Sequence, residues 1–61
     1  MSNKNMNALD KLMRQAEEGY GWFSTTINGH LFEVFATLKF YIFKVDGEGV
    51  EESVAWKLAR E

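Results

Sequence analysis

The stretch INGHLFEVFATLKFYIFKV, residues 27–45, decides how this chain folds. Its Asn28-Gly29 pair is the strongest short-range signal for a β-hairpin, because both residues accept the positive φ angles of a two-residue type I′ turn. A hairpin that turns there predicts an antiparallel pair of strands over 21–27 and 30–45.

The turn also sets the register of the two strands, with Ile27 opposite His30. Because side chains in a strand alternate between the two faces of a sheet, the register assigns every later residue to a face. One face carries an unbroken alternation of apolar residues, which we assign to the core: Phe32, Val34, Ala36, Leu38, Phe40 and Ile42. The other face mixes polar residues with large apolar ones, which are Trp22, Leu31, Phe35, Tyr41 and Phe43.

A helix is the competing interpretation of the same segment. Apolar residues between Leu31 and Val45 also recur at helical spacing. However, a helix would leave Phe32, Phe40 and Phe43 on its outer side, and the aromatic and β-branched content favours a strand. We therefore adopt the strand.

Amphipathic patterns flank the hairpin on both sides. Residues 7–18 have apolar side chains at helical spacing, and Gly19 suits the left-handed position that follows a helix. Residues 50–60 repeat the pattern, with acids in the first turn and bases in the last. With residues 1–6 as a flexible polar tail, the prediction is one α+β domain: helix, long antiparallel β-hairpin, helix (α-β-β-α).

Composition narrows the classes of function. Seven basic and nine acidic residues give a net charge of −2, whereas nucleic-acid binding favours a basic face. There is no cysteine and a single histidine, so no nucleophile, metal site or cofactor motif is recognisable. The acid-rich turn VDGEG, residues 45–49, does not match a calcium loop. We expect no enzyme activity, no cofactor and no metal.

Location follows from the apolar segments. No run of about 20 apolar residues is present to span a bilayer. The first ten residues lack the apolar centre of a signal peptide. We expect a cytoplasmic protein with no membrane contact.

Small size predicts a partner. A chain of 61 residues buries only about 60% of the surface of its unfolded form and needs further support. The first strand also reaches only half of the second, which leaves 38–45 unpaired. The strand could bend at Ala36-Thr37, pair with the amino-terminal tail, or pair with a second copy; we expect a homodimer.

Five large side chains are the candidates for binding a partner. Trp56 is placed on the side of its helix opposite Val50, Val54 and Leu58, where a tryptophan either packs under a second element or is exposed as an anchor for a partner. The full set is Trp22, Phe35, Tyr41, Phe43 and Trp56.

Two functional hypotheses remain. The first is a small interaction protein; the alternative is a single-stranded nucleic-acid binder that uses sheet aromatics beside Lys39 and Lys44. The polar MSNKN start, the absence of cysteine and the dense aromatics resemble the small early-region accessory proteins of tailed, lambdoid-type phages. That resemblance implies a host protein as partner and the host cytoplasm as location, and it transfers no residue roles.

Overall fold

The computed structural model describes residues 3–60 as two helices and one antiparallel sheet. The α+β class is confirmed, but the sheet has four strands, in the order β1-β2-β3-β4, where two were predicted. The elements are α1 (Asn3–Gly19), β1 (Trp22–Ile27), β2 (His30–Ala36), β3 (Tyr41–Val45), β4 (Glu48–Val50) and α2 (Glu52–Arg60).

The first hairpin forms as the Asn-Gly signal predicts. Asn28 and Gly29 have φ angles of 55° and 82°, as a type I′ turn requires. Ile27 pairs with His30, and the register continues without a bulge to the pair of Trp22 and Phe35. The predicted register is therefore confirmed over all of β1.

The long second strand was predicted wrongly, because 30–45 is two strands joined by a turn. The chain leaves β2 at Ala36, turns through 37–40, and returns as β3 alongside β2, with Ala36 opposite Tyr41. Of the three alternatives for the unpaired half of the second strand, the chain adopts the bend at Ala36-Thr37. It supplies 41–45 with a partner inside the same chain, which removes the unpaired strand half as a reason to expect a dimer.

This turn changes which residues of β3 face the core. Val34 pairs with Phe43 and Phe32 with Val45, so even-numbered core residues of β2 lie beside odd-numbered residues of β3. Phe43 and Val45 are 2% and 5% exposed. The assignment of Tyr41 and Phe43 to the opposite face was therefore wrong.

Three residues that we assigned to the core lie outside it for the same reason. Ile42 is on the opposite face of the sheet from Phe43 and is 37% exposed. Leu38 and Phe40 fall within the turn and are 100% and 60% exposed. The strict alternation that suggested a continuous core row ends at Ala36.

A second type I′ turn follows β3. Asp46 and Gly47 have φ angles of 54° and 87°, and they confirm the turn predicted at VDGEG. The chain then forms the short strand β4, in which Val50 pairs with Phe43. Val50 consequently belongs to the sheet and not to the second helix, which begins two residues later than predicted.

Both helices pack on the same face of the sheet. Their buried residues join alternate residues of the strands in one cluster: Leu9, Leu12, Met13, Ala16, Ile27, Phe32, Val34, Phe43, Val45, Ala55 and Ala59. Leu9, Leu12, Met13 and Ala16, which form the apolar stripe of the predicted helix 7–18, are all in this core. In α2 the buried residues are Ala55 and Ala59, whereas Val54 is 39% exposed, so the predicted stripe was wrong.

The first helix begins earlier than predicted. Residues 3–6, assigned to a flexible tail, are its first turn, and the remaining tail residues 1–2 lie outside the described range. The helix adds Met6 and Ala8, both half-buried, to the apolar residues recognised from 7 onward. The polar composition of this segment concealed the first turn of the helix.

The junction of α1 and β1 assigns Gly19 a role other than the predicted one. The left-handed residue is Tyr20, with φ 55°, and its N–H donates to Ala16 O at 3.2 Å to end the helix. Gly19 is required because the Phe23 ring packs directly over it. A Cβ added at Gly19 would lie 2.1 Å from Phe23 Cζ, far inside van der Waals contact.

We predict that Gly19→Ala destabilises the protein by about 1–3 kcal/mol, the usual cost of overpacking. The Phe23 ring lies against the core cluster and must move out of it to admit the methyl group. The matched control is Gly21→Ala, where a Cβ meets nothing within 4 Å; its change should stay within about 0.5 kcal/mol. Urea unfolding measures both, and equal stability of the two variants would contradict the packing account.

Candidate functional site

The helices leave the second face of the sheet uncovered. This open face carries Trp22, Ser24, Thr26, Leu31, Glu33, Phe35, Ile42 and Lys44. One row across three strands is wholly apolar, because Trp22 pairs with Phe35 and Phe35 with Ile42. The next row is polar and joins Ser24, Glu33 and Lys44.

The apolar row is ordered by contacts among its own side chains. The rings of Trp22 and Phe35 are stacked, with centroids 5.4 Å apart and planes 23° from parallel. Lys44 Nζ lies 5.0 Å from the Trp22 ring centroid, within the range of a cation–π contact. Trp22 is nevertheless 47% exposed, so its side chain remains accessible to solvent.

The turn at 37–40 is organised by a single hydroxyl group. Thr37 Oγ1 donates to Phe40 O at 2.7 Å and accepts from the N–H groups of Phe40 at 2.9 Å and Lys39 at 3.2 Å. The Thr37 N–H also donates to Phe40 O at 2.8 Å. These bonds use the full capacity of the hydroxyl, one donor and two acceptor positions. The turn therefore holds Leu38 and Phe40 in exposed positions with a defined backbone.

A shallow groove lies between this turn and the end of α1. Its volume is about 560 Å³, and its lining residues are Glu17, Tyr20, Ala36, Thr37 and Leu38. A smaller depression of about 190 Å³ continues past Lys39 and Phe40. Tyr20, at the junction of α1 and β1, is 83% exposed and forms one wall of the groove.

Five of the seven exposed large apolar side chains thus gather at one end of the molecule, whereas Leu31 and Val54 lie elsewhere. Trp22 begins β1, Phe35 is next to last in β2, and the turn and the groove adjoin both. We call this surface the apolar end: Tyr20, Trp22, Phe35, Leu38, Phe40 and Ile42. Large exposed apolar patches on small proteins mark sites of interaction.

Two of the five predicted partner-binding residues, Trp22 and Phe35, lie in the apolar end. Tyr41 is half-buried and Phe43 fully buried on the helix-covered face. Trp56 is half-buried against the core, and its Nε1–H donates to Glu52 Oε2 at 3.1 Å. In this conformation the buried Phe43 presents no surface to a partner.

Sequence reasoning missed four exposed residues of this surface. Leu38, Phe40 and Ile42 were assigned to the core, and Tyr20 was not singled out. The available signal was Phe40-Tyr41-Ile42-Phe43, four consecutive large apolar residues, which a strand with one buried face cannot all bury. Such a run requires that some of them lie in a turn or on the open face.

The opposite end of the sheet is polar. Asp46 Oδ1 accepts from the Leu31 N–H at 2.9 Å, and Asp46 Oδ2 lies 2.6 Å from His30 Nδ1. Asn28 Nδ2 donates to Leu58 O at 3.2 Å and ties the first turn to α2. Among the described residues, no serine or threonine hydroxyl bonds to His30 or Asp46. The pair links the two type I′ turns.

Residues 3–60 contain neither a cluster of metal ligands nor a membrane-spanning helix. No three His, Cys, Asp or Glu side chains of this range lie together as a metal ion would need. Neither helix is long and apolar enough to cross a membrane. Comparison with family models, with curated proteins and with solved structures finds no match to the chain. The shape and chemistry of the surface are therefore the remaining evidence for a function.

Acid should weaken the polar end through Asp46. The Leu31 N–H bond, followed by His30, lowers the pKa of this carboxyl from its usual 3.8. A carboxyl whose pKa is lower in the folded state adds stability above its unfolded pKa, and this stability is lost as the pH falls through the folded pKa. The free energy of unfolding should therefore decline below about pH 4.

Asp46→Asn tests this dependence, because asparagine keeps an acceptor oxygen and tolerates positive φ but does not ionise. The variant should lose less stability than the wild type between pH 5 and pH 2, about the range over which carboxyls titrate. Denaturant unfolding at a series of pH values measures both proteins. Parallel curves would show that Asp46 does not link folding to pH.

Proposed function

We propose that this protein is a small non-enzymatic interaction module that binds another protein through the apolar end. The observation that carries the proposal is the turn at 37–40. Leu38 is fully exposed and Phe40 is 60% exposed, although both are large and apolar. Exposure of these side chains to water does not stabilise the fold, yet four hydrogen bonds centred on Thr37 hold the turn that exposes them.

Order in the free protein favours binding. Association costs free energy for each side chain or loop that must be fixed, about 0.5–1.5 kcal/mol for each side chain. The Thr37 bonds fix the turn and the stack of Trp22 on Phe35 fixes the aromatic row before any partner arrives. Aromatic residues on a prepared surface are typical anchors of protein interfaces.

Charge around the groove supports a protein partner of mixed polarity. Glu17 lines the groove, while Lys39 lies at its continuation on the turn. With an overall net charge of −2, the chain has no strong field of one sign. Apolar contact is then the main source of affinity, and the two charges set the orientation of the partner.

The resemblance in size and composition to phage accessory proteins directs the search for the partner. We propose a bacterial host protein, met in the host cytoplasm. Nucleic acid is a weaker candidate, since Trp22 and Phe35 stack on each other and Glu33 adjoins Lys44 in the neighbouring row. A single-strand binder needs free aromatic faces beside several cations.

Affinity capture from a bacterial lysate tests the proposal. The tagged wild-type protein should retain a specific host protein, and Leu38→Asp and Phe40→Asp should each reduce its recovery by tenfold or more, about the effect of an interface hot spot. Both residues are exposed, so the variants should keep the thermal stability of the wild type.

Val54→Asp is the matched control. Val54 is another exposed apolar residue, but it lies on α2, away from the apolar end. Capture should be unchanged in this variant, because an acid in the first turn of a helix is also favourable to the fold. Equal recovery with all four proteins would contradict the proposed surface, and a gel shift with single-stranded DNA abolished by Trp22→Ala would favour the nucleic-acid alternative.

A further inference from the structure

The two edge strands of the sheet differ in how they are protected. β4 is short, only Glu48, Gly49 and Val50, and an acid and a glycine disfavour further pairing. β1 has six residues, WFSTTI, with no charge, proline or bulge. Such an edge is a ready template for another strand, and natural proteins usually block it.

The register shows which main-chain groups of β1 face outward. In a two-residue hairpin the pair beside the turn, Ile27 and His30, exchanges both hydrogen bonds, and bonded pairs then alternate along the strands. Phe23 and Thr25 therefore bond to β2, whereas the N–H and C=O groups of Trp22, Ser24 and Thr26 point away from it.

These outward groups are accessible. The side chains of Trp22, Ser24 and Thr26 are all exposed. Among the hydrogen bonds of the described residues outside the sheet ladder, none uses the main chain of these three. The edge of β1 thus presents three donors and three acceptors in a row.

We propose that a second copy of this chain occupies the edge, with the two β1 strands antiparallel and Ser24 opposite Ser24 of the second copy. Trp22 then faces Thr26 of the other chain. This register bonds all three outward residues of each strand and forms about six main-chain hydrogen bonds, two for each bonded pair. A shift by two residues leaves at least one outward residue of each strand outside the pairing.

The side chains of β1 are self-complementary in this register. Reversal of the segment W-F-S-T-T about Ser24 sets Trp22 against Thr26 and Phe23 against Thr25. Pairs of an aromatic and a β-branched residue are favourable across antiparallel strands. Because no position carries a charge, no like charges meet, and a second copy fits better than a partner of unspecified sequence.

The dimer contains one continuous sheet of eight strands, made from four of each chain. The turn that carries Leu38 and Phe40 lies outside β1, so this pairing goes beyond the proposed function and does not depend on it. The edge uses the main chain of β1, and the partner contact is centred on Leu38 and Phe40, so Trp22 is the residue of the apolar end that the two surfaces share.

Disulfide trapping tests the register directly, because the chain contains no cysteine. In a Ser24→Cys variant the two thiols lie on residues about 5.5 Å apart between Cα atoms, which a disulfide spans. In the control Thr26→Cys the equivalent residues are offset by four positions, about 13 Å. At micromolar concentration with a mild oxidant, the Ser24→Cys protein should cross-link at least about tenfold faster than the control.

Sedimentation with a second variant completes the test. Ser24→Lys sets two introduced lysines against each other across the dimer, while within each chain the introduced lysine faces Glu33 and preserves the fold. The wild type should show a concentration-dependent dimer that this variant lacks, with unchanged capture of the bacterial partner. Equal cross-linking of both cysteine variants, or a monomeric wild type throughout the micromolar range, would overturn the inference.

Discussion

The number of residues in each turn decides which side chains of this protein are buried. Strand residues alternate between faces, so the turn that joins two strands fixes which residues of the second strand share a face with the first. The two-residue turn at Asn28-Gly29 places Phe23 beside Val34, and the four-residue turn at 37–40 places Phe43 beside Val34. Both helices cover the single apolar face that results. The core of the domain therefore depends on which residues the turns place on that face.

The same constraint divides the molecule into two chemically different ends. The type I′ turns lie together and are joined by Asp46, His30 and Asn28 in a polar network that holds the sheet to α2. The turn at 37–40 lies at the other end and exposes Leu38 and Phe40. Exposed polar hydrogen bonds join the turns at one end, and five of the seven exposed large apolar side chains lie at the other.

The sequence was sufficient where a turn has a characteristic composition. Asn28-Gly29 and Asp46-Gly47 both predict turns, since these residue types tolerate positive φ, and the register of β1 followed residue by residue. Thr-Leu-Lys-Phe at 37–40 has no such residue, and its turn depends on the hydrogen bonds of one hydroxyl. That miss placed Leu38 and Phe40 in the core and Phe43 on the open face, so most of the candidate site could not be predicted.

Nuclear Overhauser contacts between β2 and β3 test the central claim most directly. In the sheet Val34 lies opposite Phe43 and Ala36 opposite Tyr41, both at positions without mutual hydrogen bonds, where the α protons of opposite residues come closest. The account predicts strong Hα–Hα cross-peaks for both pairs and none between the Leu38 methyl groups and the core. Absence of these cross-peaks, with Leu38 in contact with the helices, would show a continuous second strand and contradict the account.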